Sequence, residues 1–179
     1  MDQTQILNIP VDMLIVQGVG FIAMFMHIIS FQQNTNKRIV GIFMIGSMFW
    51  CCHFVLLEAF TGAAITGLGI IRSFVFFFRP RKWASGKFWL YLFCTAYIIS
   101  GILTYDSIVS IFPVIASIFI TIGFYVTNPK LTRRFALVSS FGDVVYAAFV
   151  FSVAGILADS FSVVSIIIAM FRFDFKKDT

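Results

Sequence analysis

The chain reads as long apolar runs separated by short polar punctuation. Residues 11–31, 38–57, 62–78, 88–104, 108–126, 134–152 and 156–172 form seven such runs, each nearly free of charge. Each is close to the roughly 20 residues that a helix needs to cross ~30 Å of hydrocarbon. The breaks are of two kinds. QQNTNKR, RPRKWASGK and TNPKLTRR follow the first, third and fifth runs and are polar and basic. EAFTG, YDS and a break centred on Gly155 are short and carry no basic residue. The pattern predicts an all-α membrane protein with seven transmembrane helices.

Composition removes the alternatives. Hydrophobic residues make up 60% of the chain and charged residues 12%, and the mean hydropathy is +0.97. A soluble domain carries about twice that charge, and a disordered chain needs low hydrophobicity and high charge. Spans of about 20 residues use most of the 179 available. The expectation is a single integral membrane domain over residues 1–179, with the lipid bilayer as its surroundings and no aqueous catalytic or nucleic-acid-binding domain. The opening MDQTQILNIP has no basic residue ahead of the apolar run. A cleavable signal wants a positive start and a shorter apolar core, so this run reads as a retained span.

Charge sets the expected orientation. Lys37 and Arg38 follow the first span, and Arg79, Arg81, Lys82 and Lys87 follow the third. Lys130, Arg133 and Arg134 follow the fifth, and Arg172, Lys176 and Lys177 close the chain. These are twelve of the thirteen basic residues. Cytoplasmic loops carry the Lys/Arg excess, which puts the N-terminus outside and the C-terminus in the cytoplasm. Asp2, Asp12, Glu58, Asp106 and Asp159 fall on or near the opposite side. The thirteenth basic residue, Arg72, lies within the third span.

The two ends of the chain share a layout. At a spacing of 93 residues, Phe31, Lys37, Ser47 and Gly62 match Phe124, Lys130, Ser140 and Gly155, and Ile22-Ala23 matches Ile115-Ala116. Bringing Arg72 opposite Arg172 needs a further gap of seven residues. Two three-span units, 11–78 and 108–172, joined by one span at 88–104, would point the same way in the membrane. Parallel repeats of this kind are a transporter architecture.

The strings SFQQNTNKR, HFVLLEAFTGA, IIRSFVFFFR and IIIAMFRFD resemble the YgjV-type family of bacterial inner membrane proteins over nearly the whole chain. The resemblance implies a multi-pass inner-membrane location and names no substrate. The 3+1+3 layout is also similar to that of SWEET and PQ-loop transporters, which implies a solute path between the triplets. The chain departs from both patterns. Phe31-Gln32-Gln33 and Thr127-Asn128-Pro129 stand where PQ-loop carriers have Pro-Gln. The third spans offer Thr66 and Ser165 where sugar carriers place Asn, so a sugar is not implied.

Ionisable residues inside a bilayer are expensive and functional by default. The span boundaries put Arg72 and Asp143 at similar mid-depth, in different triplets. They read either as a midplane pair that binds solute or as a static tie between helices. His53, in the outer half, reads either as a proton switch or as a buried neutral ring bonded to a carbonyl. His27 is expected at the interface. Trp50, Thr66, Tyr146 and Ser165 complete the candidate substrate-binding set, with Gln17 as a further polar group. Cys51, Cys52 and Cys94 show no metal-ligand spacing and read as packing residues. Gly18-Val19-Gly20 lacks the context of a nucleotide loop. No cofactor and no metal are expected.

Three function classes remain. A small-solute carrier stands first, a non-transporting scaffold or partner subunit second, and a membrane-embedded enzyme a distant third, for want of paired carboxylates or an activated nucleophile. A homo-oligomer is a possible partner. The charge asymmetry makes the first testable statement. In a background without the native cysteines, Asp106→Cys should be labelled by an impermeant thiol reagent from outside, and a reporter fused after Thr179 should report cytoplasm. Cytoplasmic labelling at position 106 would contradict seven spans.

Overall fold

The computed structural model describes residues 11–56, 60–103, 105, 108–149 and 153–174. Glu58, Asp106, Lys176 and Lys177 lie outside them. The described residues form seven α-helices and no strand: α1 Val11–Phe31, α2 Asn36–Leu56, α3 Phe60–Phe77, α4 Lys87–Leu103, α5 Ile111–Tyr125, α6 Pro129–Phe149 and α7 Val153–Phe173. A 3-10 turn at Ile108–Ser110 leads into α5. The segments Asn36–Leu56, Ile108–Tyr125 and Ile156–Phe173 are long and apolar enough to cross a membrane, with mean hydropathies of 2.1, 2.2 and 1.9. Ile15–Phe31, Ile65–Phe77 and Lys87–Leu103 are shorter apolar helices.

One boundary differs in a way that matters. The sixth span was expected from residue 134, because Lys130, Arg133 and Arg134 read as loop. The helix starts five residues earlier, at Pro129. Pro is favoured at the first helical position, where its missing N–H costs nothing. Asn128 caps the start: its side-chain oxygen accepts from the Lys130 N–H at 2.9 Å, and its carbonyl accepts from Thr132 at 3.0 Å. Pro113 is tolerated in α5 for the same reason, being in the first turn.

Within each half the middle helix carries the packing. α2 lies against α1 and α3, and α6 lies against α5 and α7. The halves meet where α1 touches α7, α3 touches α5 and α2 touches α6. α4 stands outside this ring against α5, with Phe93 edge-on to Phe76 of α3. Phe31, Phe76, Phe124, Ile39, Val40 and Ile166 form the buried core. Large apolar side chains such as Phe25, Phe74, Ile102, Phe141 and Ile168 are exposed, as lipid contact requires.

The ends carrying the basic connections are tied together. Gln32 of the α1 end donates to the Ser165 carbonyl at 2.7 Å and to its hydroxyl at 3.0 Å. Asn36, opening α2, donates to the Val126 carbonyl at 2.6 Å and to Thr132 Oγ1 at 2.7 Å. Arg79 donates to the Tyr125 carbonyl and stacks over that ring at 3.6 Å. Phe78, Trp83, Phe88 and Trp89 cluster at this end, as aromatic side chains do at a membrane–water interface.

Arg133 is the strongest of these ties. It was counted among loop charges, yet its side chain is 1% exposed. Its Nε donates to Asp174 Oδ2 at 3.0 Å, Nη2 donates to Oδ1, and Nη1 donates to the Gln33 carbonyl at 2.8 Å. One guanidinium therefore joins α6, the end of α7 and the turn after α1. Removing one partner leaves the other charge buried and unpaired, which costs ~3–5 kcal/mol. Asp174→Ala should lower the melting temperature of the purified protein markedly, and an Arg133→Met, Asp174→Leu double variant should recover most of the loss. Equal melting of Asp174→Ala and wild type would show that the pair carries no load.

Candidate functional site

A cavity of about 790 Å³ lies between the two halves. Its floor, near the basic end, holds Phe31, Phe43, His27, Ile120 and Ala136, and its walls rise past Ser47, Ser140, Trp50 and Asp143 to Gln17, Phe54 and Leu157. Of the residues expected in a site, Trp50, His53, Thr66, Arg72 and Asp143 line this space. Tyr146 is half-buried outside the lining. Ser165 is buried outside it as well. Its hydroxyl donates to the Ile28 carbonyl at 2.9 Å and accepts from Gln32, so it ties α7 to α1.

Arg72 and Asp143 do not form an ion pair. Among the described residues, Arg133–Asp174 holds that place. Depth is the reason. With α6 starting at Pro129, Asp143 lies fourteen residues from the basic end, or ~21 Å at 1.5 Å per residue. Arg72 lies five residues from the end of α3, or ~8 Å. Counting Asp143 from a boundary at 134 and Arg72 from Gly62 at the outer end had placed them level.

Arg72 is 4% exposed. Its Nη1 donates to Thr121 Oγ1 at 3.3 Å, and its Nε has no acceptor among the described residues. The Thr121 hydroxyl spends its own proton on the Ser117 carbonyl at 2.5 Å. The guanidinium sits 5.5 Å from the Tyr97 ring centre and 5.2 Å from that of Phe124, where the ring faces offset part of the charge. Among the described residues, its five N–H donors thus meet one hydrogen-bond acceptor, Thr121.

The histidines are held by backbone and serine. His53 Nδ1 lies 2.9 Å from the Val16 carbonyl. A carbonyl only accepts, so Nδ1 carries the proton in this bond. His27, expected at the interface, lies near the end of α1 and lines the cavity floor. It stacks on Phe43 at 3.9 Å, with Nε2 3.3 Å from Ser47 Oγ. Ser47 gives its proton to the Phe43 carbonyl at 3.0 Å, so it accepts from His27 Nε2. Glycines make room for both rings. A Cβ at Gly20 would meet His53 at 3.0 Å, and one at Gly46 would meet His27 Cδ2 at 2.5 Å.

The sequence pattern left out other groups in the lining. Asp159, expected on or near the outer side but not as a site residue, belongs to the first turns of α7 and lines the cavity with Ser162. Ser117, Ser139, Ser140 and Tyr97 are also there. A signal for several of them was present. Adding 93 to Thr66 and Gly69 gives Asp159 and Ser162, a correspondence that the seven-residue gap had hidden. Among the described residues, no group of three His, Cys, Asp or Glu side chains forms a metal site. Cys51, Cys52 and Cys94 are free thiols.

The arrangement is that of a partly open, largely apolar cavity between helices, into whose lining hydrogen-bonding and ionisable groups are set. No curated protein and no solved structure matches the chain. The family described as Imp-YgjV, bacterial inner membrane protein, matches residues 14–177, nearly the full length. The chain belongs to the Imp-YgjV family of bacterial inner membrane proteins.

Proposed function

We propose that this protein is a small-solute carrier. In this reading, units 11–78 and 108–172 are parallel triple-helix repeats, α4 is the linker, and the cavity between them is the solute site. The N-terminus is outside and the basic end faces the cytoplasm.

The observation that carries the proposal is the make-up of the cavity wall. Eight lining positions recur at a spacing of 93 residues: Met24 with Ser117, His27 with Ile120, Phe43 with Ala136, Ser47 with Ser140, Trp50 with Asp143, Ile65 with Ala158, Thr66 with Asp159, and Gly69 with Ser162. Helical periodicity alone repeats a face. It does not repeat a face at the same height on three successive helices. The helix neighbours follow the same rule, since exchanging the halves turns the α1–α7 contact into α5–α3. Two equivalent units facing each other across a cavity that holds polar and ionisable groups can rock about it, which is how repeat-built carriers alternate access. A scaffold has no use for such a space and would close it with apolar side chains.

The ties at the basic end supply the closed gate. Gln32–Ser165, Asn36–Val126 and Arg133–Gln33 all cross between the halves at that end. On the proposed orientation, the structure is shut toward the cytoplasm.

The test is uptake into proteoliposomes, screened with mixed small solutes and read by mass spectrometry of the vesicle contents. The wild-type protein should accumulate at least one solute over empty vesicles. Ser140→Phe, which fills the cavity at mid-height, should cut that uptake at least ten-fold while the protein still elutes as a folded species. Full uptake by a folded Ser140→Phe variant would place the path elsewhere. Absence of uptake across the screen would favour the scaffold.

A further inference from the structure

Charge is divided across the cavity. The wall from α1–α3 carries Arg72, His27 and His53 and no carboxylate, whereas the wall from α5–α7 carries Asp143 and Asp159 and no basic side chain. Opposite charges that share a cavity inside a membrane protein would normally close on each other. Here they do not: among the described residues, neither Asp143 nor Asp159 is paired with a cation. Arg72 keeps unused donors although it is almost fully buried. An orphaned buried guanidinium is costly, and a bound anion would relieve it.

The spacing suits one small molecule. By the recurrence at 93 residues, Thr66 stands level with Asp159, and Arg72 lies six residues further along α3, ~9 Å nearer the basic end. Its guanidinium turns back toward the acidic level. A Cβ on Gly69 would lie 3.8 Å from Arg72 Nη2, in keeping with helical side chains leaning toward the N-terminus. Counted from the helix ends, Asp143 stands ~13 Å above Arg72 along the backbone. The lean of the long Arg72 side chain shortens that height, so a carboxylate and an ammonium on one carbon chain, each taking charge-assisted hydrogen bonds of ~2.8 Å, would join the two walls. Trp50, Phe43 and Phe54 leave apolar space beside it.

We propose that the cavity binds a free amino acid or close analogue as a zwitterion, its carboxylate on Arg72 and its ammonium between Asp143 and Asp159. The assignment rests on the cavity being the solute site of the carrier proposed above. A single cation or anion would leave one wall uncompensated. A neutral sugar would leave both.

Binding can be measured without transport. The full-length protein in nanodiscs of phosphatidylethanolamine and phosphatidylglycerol is titrated with the twenty free L-amino acids and with ω-amino acids from β-alanine to 6-aminohexanoate. Putrescine, succinate and glucose are the comparison ligands. At least one zwitterion should bind more tightly than all three. Its methyl ester, which lacks the carboxylate, and its N-acetyl form, which lacks the ammonium, should each bind at least ten-fold more weakly. In Arg72→Gln the acid should lose its advantage over the ester. In the Asp143→Asn, Asp159→Asn double variant the free amine should lose its advantage over the acetylated form. If these variants do not fold, the analogue series on the wild-type protein still decides. Binding by none of the zwitterions, equal binding of the blocked analogues, or tighter binding of putrescine, succinate or glucose would overturn the assignment. Zwitterion binding without uptake in proteoliposomes would keep the site and remove the carrier. Sugar uptake without amino-acid binding would keep the carrier and remove this site.

Discussion

Inside hydrocarbon, a polar side chain has no solvent to fall back on, and its partner must come from the protein or from water that the protein encloses. The polar side chains of this chain answer that constraint in two places. At the basic end they find protein partners: Arg133 takes Asp174 and the Gln33 carbonyl, and Asn36 takes Val126 and Thr132. Higher up, Arg72, Asp143, Asp159, Ser139, Ser140 and Ser162 line a cavity instead of pairing with one another. The first group holds the halves together. The second requires a polar occupant, whether water or solute.

The two groups also divide the mechanics. Among the described residues, the polar cross-contacts between the halves lie toward the basic end, each worth about 0.5–1.5 kcal/mol net when neutral and more when charged. In the proposed carrier, such bonds are strong enough to bias a closed state and weak enough to break when the halves move. Packing within each half is closer. Gly20 and Gly46 let α1 and α2 seat the rings of His53 and His27 with no room for a methyl group, and in the proposed carrier the seam between the halves is where movement is cheapest.

Much of this was legible in the sequence, because charge and hydropathy are local properties. Seven apolar runs became seven helices, and the basic connections gather at one end. What misled was also local. Lys130, Arg133 and Arg134 looked like loop, although Asn128-Pro129 is a helix start, and that five-residue error moved Asp143 to the wrong height. Arg133 could not be recognised as a clasp because Asp174 is 41 positions away. Ser165 had the right polarity and depth, but its hydroxyl is consumed by Ile28 and Gln32. Asp159 was read only as one of the acidic residues near the outer side and not as part of a site. The repeat spacing carried the correction for it, since Thr66 already belonged to the candidate site and Asp159 is its counterpart.

The account turns on the seam between the halves being wet where the polar side chains of both converge. Single cysteines introduced as Ser47→Cys and Ser140→Cys, in a protein lacking Cys51, Cys52 and Cys94, test this directly. The readout is their reaction rate with a charged methanethiosulfonate reagent, compared with Ile168→Cys on the exposed outer face of α7. The account predicts that both serine positions react, at rates similar to each other and at least ten-fold faster than position 168. Rates at 47 and 140 no higher than at 168 would mean a dry interface, and would contradict it.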